Sequence, residues 1–214
     1  MGARQRFRGR IAGVGSTSGT RVVVGWWHES PFGSFADVMV ETAAGHRVLL
    51  APTSEVADLV ATTYTFDEVR LEPVSVRPGP SGVVGDGAAR GLVPGWSVET
   101  PSLSLALEVG GRTALGRVLR LVPPGLAGTP AFATLADPVA RVVLRGVRTR
   151  GVARAGRREF YGATDVRAVT ALEGSFEGAD LGDLRPVDPP CRFGFSSTPR
   201  RPSVTDVVTT IVDT

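Results

Sequence analysis

RVVVGWW, Arg21–Trp27, packs three valines and two tryptophans into seven residues. Branched and aromatic side chains fit the pleated, half-buried surface of a strand, and lose rotamer freedom in a helix. Arg6–Gly13 reads as the partner strand, with Gly13–Gly19 as the hairpin loop between them. The loop is glycine-rich, but a strand follows it. A phosphate cradle needs a helix N-terminus at that point, to supply free N–H groups and a favourable dipole, so the loop is a turn.

Outward from this hairpin the alternation continues. Phe35–Thr42 alternates, Ala43-Ala44-Gly45 turns, and His46–Ala51 returns. Pro52-Thr53-Ser54-Glu55 opens a helix, capped by Thr53 or Ser54, with Val56, Leu59, Val60 and Thr63 on one face. Asp67–Arg77 reads as one more strand, and Pro73, lacking an N–H, belongs at an edge or a bulge. Residues 78–95 are a Gly/Pro-rich connector.

The second half predicts a hairpin over 98–122 turning at Gly110-Gly111, a short helix over 130–136 and a strand from Val139 to Thr149. Strands follow over Glu159–Gly162, Asp165–Glu173, Arg192–Ser196 and Val204–Val212. The expectation is one mainly β (α+β) domain over 1–214, an antiparallel barrel or strongly coiled sheet of about ten short strands with two or three short helices. The order of elements in 35–77 is echoed in 98–149, which suggests a weak internal duplication joined by the connector.

Composition excludes several chemistries. All 24 basic residues are arginine, so there is no side-chain amine for a Schiff base and no P-loop lysine. Cys191, His28 and His46 are the only cysteine and histidines, too few for a four-ligand structural zinc site or an iron–sulfur cluster. No cofactor is expected. The longest uncharged run, Leu121–Ala136, is broken by Pro123, Pro124 and Pro130 and cannot span a bilayer. The N-terminal arginines precede too short an apolar stretch for a signal peptide, so a cytoplasmic location is expected.

The residues able to carry chemistry fall into four groups. Trp26 and His28 share one face of their strand, and Trp27 takes the other. They read either as an aromatic pocket wall with an imidazole at its mouth, or as a buried tryptophan beside an exposed histidine. His46 beside its turn is a candidate general base or a solvated residue. Glu159 and Tyr161 share a face and are candidates for acid–base work, with Arg158 beside them. Finally, Arg141–Arg158 holds seven arginines and no acid, and within it Arg148 is a candidate anion ligand. The segment lacks interleaved stacking aromatics and any recognition motif, which argues against nucleic acid.

The segments FADVMVE (Phe35–Glu41), GHRVLLAPT (Gly45–Thr53), DPVARVVLRGVRTRG (Asp137–Gly151) and EFYGATD (Glu159–Asp165) resemble those of uncharacterised proteins from high-GC bacteria, a likeness that brings no activity with it. More distantly, the succession of hairpins with short helices and a late arginine-rich stretch resembles barrels of the acetoacetate-decarboxylase-like superfamily. That resemblance implies the fold. The superfamily's catalytic lysines have no counterpart in this chain, so its decarboxylase chemistry is not implied.

Two functions follow as expectations. The first is a barrel binding a small organic anion, a carboxylate or keto acid, in an interior cavity. Arginine would supply the counter-charge there, and Trp26, Trp96 and Tyr161 the walls. Whether it is an enzyme stays open; any catalysis would be acid–base, without a covalent amine step. The second is an interaction protein that meets a polyanion or acidic partner through Arg141–Arg158. The oligomeric state is left open, and no membrane partner is expected.

Overall fold

The computed structural model describes residues 4–80, 94–122, 150–152, 157–194 and 198–213. The chain runs β1 (Arg4–Ser16), β2 (Arg21–Glu29), β3 (Phe35–Glu41), β4 (Arg47–Ala51), α1 (Ser54–Thr63), β5 (Glu68–Leu71), β6 (Ser75–Pro80), β7 (Pro94–Glu99), β8 (Leu103–Arg112), α2 (Ala114–Leu119), β9 (Arg150–Val152), β10 (Arg157–Phe176), β11 (Ala179–Asp180), β12 (Leu184–Arg185) and β13 (Ser203–Asp213). Ten strands form one path in the order β5-β4-β3-β2-β1-β13-β10-β8-β7-β6, curled into a half-barrel. Every neighbour on this path is antiparallel except β4 and β5, which α1 joins as a parallel crossover. The mainly β reading therefore holds.

Both faces of the central strands are covered. The concave face is filled by Val14, Val22, Val24, Val38, Val40, Leu50, Val98, Leu105, Leu107 and their neighbours, all close to fully buried. Against the convex face lie α1, through Val56, Ala57 and Val60, and the segment carrying Val187, Cys191 and Phe193. That segment is pinned electrostatically: Glu41, 0% exposed, accepts from the Arg192 backbone N–H at 2.8 Å and pairs with Arg21 at 3.2 Å and Arg192 Nε at 2.9 Å. Side chains tie the β5 edge to the β7–β8 turn and to the turn after β10. Arg70 on β5 donates to Ser102 at 3.1 Å and pairs with Glu177 in the turn after β10, and Ser102 also donates to Glu72.

Thr53 caps α1 as its sequence indicated, accepting from the Val56 N–H. Several local expectations are corrected. β8 runs straight through Gly110-Gly111, because Gly110 lets Thr170 of β10 come close: a Cβ there would sit 2.7 Å from the threonine methyl. The hairpin is instead β7–β8, and the expected return strand begins with α2, capped by Thr113 accepting from Gly116. Pro73 lies between strands, so 67–77 becomes two short strands at opposite ends of the sheet. The two strands expected over 159–173 are one, β10, bulged between Ala163 and Asp165. Arg192–Gly194 is no strand; it lies over the convex face, where the Phe193 carbonyl accepts from Thr65 N–H at 2.7 Å. The helix expected over 130–136 and the strand over 139–149 fall outside the described residues, as does most of the connector.

Candidate functional site

Alternation along β1, β2 and β3 sends Phe7 and Ile11, Val23, Gly25 and Trp27, and Phe35, Asp37 and Met39 to the convex face. β13 and β10 add Thr209, Ile211 and Tyr161, since Phe7 pairs with Thr209 and Thr209 with Tyr161. α1 roofs these strands with Leu59, Val60 and Thr63, and Tyr64 ends the helix. The roof does not close onto the floor. A partly open cavity of about 70 Å³ remains between them, and a Tyr64–Tyr161 hydroxyl hydrogen bond ties the end of α1 to β10 across it.

The floor carries a buried acid. Asp37, 4% exposed, accepts one side-chain hydrogen bond, from Trp27 Nε1–H to Oδ1 at 3.0 Å. Among the described residues the cavity wall holds no arginine and no histidine, so Asp37 has no cation to pair with there. Loss of hydration disfavours the charged form, and burial raises its pKa to about 7 against the smaller opposing pull of the Trp27 N–H. Gly25, directly across the ladder from Asp37, makes the arrangement possible: a Cβ there would lie 2.5 Å from Asp37 Oδ1 and 2.8 Å from Trp27 Nε1. Around the acid stand aromatic rings in contact, Phe7 on Trp27 at 5.8 Å and Trp27 beside Phe35 at 6.4 Å. Thr209, 4% exposed, faces the same space with its hydroxyl unpartnered.

Chemically, the cavity offers an apolar enclosure with a carboxyl that changes charge near neutral pH. Such a group is suited to hold a hydrogen-bond donor or to exchange a proton.

Of the residues singled out from sequence, Tyr161 and Trp27 line this cavity, and Trp26, His28, Trp96 and His46 do not. Trp26, His28 and Trp96 meet on the concave face, Trp26 edge-on to Trp96 at 5.4 Å and to His28 at 4.5 Å. Arg10 lies 6.0 Å from the Trp26 ring and pairs with Asp206 at 3.0 Å. Burial, and secondarily Arg10, lowers the His28 pKa, with Asp206 opposing. This place alone, among the described residues, brings arginine and tryptophan together as a carboxylate ligand would need. Arg10 is already matched by Asp206, and the concave face beyond is packed with valine and leucine.

His46 sits at the surface, 3.1 Å from Glu68, whose pKa its bonds to Arg70 and His46 lower to about 2. Arg158 and Glu159 are placed by their backbone, opposite Val212 and Ile211 on β13. Arg148 and most of Arg141–Arg158 lie outside the described residues. No group of three or more metal-ligating side chains occurs among the described residues, nor any helix long and apolar enough to cross a membrane.

Asp37 is the functional candidate that sequence reading missed. Its signal was present: Phe35 and Met39 flank it on the same face of β3, and a face bearing them is covered, so a lone acid between them is a buried acid.

Comparison with protein-family models, with curated proteins and with solved structures finds no match to this chain.

Proposed function

We propose that this protein binds a small organic molecule in the cavity beneath α1, with Asp37 as the polar group that recognises it. One observation carries the reading: a carboxyl buried among aromatic side chains, bonded by a single N–H and facing a partly open cavity. Burying an acid without a cation costs stability. A site that keeps one at such a cost is commonly a site where a ligand completes it. With about 70 Å³ of space, and roughly 10–15 Å³ needed per water-sized group, the part of the ligand held at one time is on the order of five heavy atoms. Any catalysis here would be proton transfer through Asp37, with the Tyr64–Tyr161 pair beside it.

The test is a fragment screen by NMR on the intact protein, reading the Trp27 indole N–H. Binders that shift this resonance in the wild type and lose the effect in Leu59→Trp, which fills the space from the roof, support the reading. A screen whose hits leave Trp27 unmoved, clustering at Trp26 and Trp96 instead, would transfer the function to the concave side and to the anion expected from sequence.

A further inference from the structure

Resting on that reading, we propose that the ligand is a small organic cation, a protonated amine on a short apolar body. The carboxylate at the floor has more acceptor sites than the side chains around it fill. Trp27 Nε1–H, the fixed donor at the floor, is spent on Asp37 Oδ1. Among the described residues Trp27 is the one side-chain donor to this carboxylate, which leaves Oδ2 for a ligand, and the buried Thr209 hydroxyl, able to accept as well as donate, has no partner. A ligand that completes this set must donate, and the strongest donor to a carboxylate is a charged N–H. The chain contains no lysine anywhere, so no side-chain amine of its own can occupy this place.

The walls favour the same class. Phe7, Trp27, Phe35, Tyr64 and Tyr161 line the cavity, and aromatic faces attract a cation through their quadrupole while giving nothing to an anion. A carboxylate ligand would place like charge against Asp37 unless a proton were added. A neutral ligand would leave the acid's charge without a partner.

Binding should therefore be linked to the ionisation of Asp37. Among the described residues the titratable side chains facing it are Tyr64 at the end of α1 and Tyr161 on β10, and β1, β2 and β13 present Phe7, Ile11, Val23, Gly25, Trp27, Thr209 and Ile211, none of them ionisable there. With a midpoint near 7, occupancy by a cation should strengthen close to tenfold per pH unit below that point and level off above it.

The experiment titrates n-butylamine, n-butanol and butyrate into the full chain at pH 5 and pH 8, following the Trp27 indole N–H by NMR. The expected result is butylamine bound at least tenfold tighter than either of the others at pH 8 and about 100-fold weaker at pH 5. Asp37→Asn abolishes that pH dependence, and Thr209→Val weakens the amine about fivefold, the worth of one net hydrogen bond. Thr209→Val keeps the volume and the carboxyl, so it answers even if Asp37→Asn is poorly folded. Butanol or butyrate binding as tightly as the amine, or an amine that binds equally at both pH values, overturns the cation assignment and leaves the small-molecule site standing. Failure of all three to move Trp27 overturns the assignment and the site together.

Discussion

The two faces of β1, β2 and β3 are built from alternate residues of the same short stretches, yet they do opposite things. On the concave face Val22, Val24, Val38 and Val40 pack into one apolar cluster with Leu105 and Leu107 from across the curl. On the convex face the intervening residues are Gly25, Trp27, Phe35 and Asp37, and the helix above them stops short of filling the gap. The contrast separates what holds the fold from what the fold holds. One face is filled by its own side chains, and the other leaves a partly open cavity beneath α1.

The comparison predicts unequal responses to mutation. Leu105→Ala on the filled face should lower the unfolding free energy by about 2–5 kcal/mol, read from urea denaturation, because its fully buried site can only partly collapse. Leu59, half-buried over the cavity, should respond differently: Leu59→Ala should cost about 1 kcal/mol or less, the space beneath it being open already. Equal losses at the two positions would erase the distinction between the faces.

Next in size is a pH effect. The folded pKa of Asp37, about 7, lies above its ordinary 3.8, so the folded chain holds the proton more tightly than the unfolded chain. Stability from this group is thus highest below pH 4, falls as pH rises towards 7, and is lower by on the order of 4 kcal/mol beyond it. Asp37→Asn should remove that slope and be the more stable protein at pH 8. A wild type whose denaturation midpoint relative to Asp37→Asn does not move between pH 4 and pH 8 would mean that the acid is well solvated.

Smaller still is Gly25→Ala, expected to cost about 1–3 kcal/mol and to shift the Trp27 indole N–H resonance, since the new methyl enters the Asp37–Trp27 bond. An unchanged indole resonance would show that the bond does not depend on the space Gly25 leaves.

Much of the architecture could be read from alternation, because each strand must choose a face: RVVVGWW, FADVMVE and the capped helix after Pro52 all lie where their periods place them. The errors came where local signals compete with distant partners. Gly110-Gly111 reads as a turn, and only the approach of Thr170 explains why it stays extended. The site was less legible. Aromatic and titratable residues near strand ends drew attention to His28 and His46, whereas the cavity depends on which face α1 covers, and that is settled by the β4–α1–β5 crossover. Tyr161 was visible as one residue, but its partner Tyr64 lies 97 positions away.

Selective ¹³C labelling of aspartate, with the Asp37 carboxyl assigned by its loss in Asp37→Asn, would follow that one group's titration in the ligand-free chain. A midpoint near 7 is what a buried carboxyl with no cation beside it requires. A midpoint at or below the free-aspartate value of about 3.9 would mean that water or a positive charge reaches it, and the cavity would lose its recognising group.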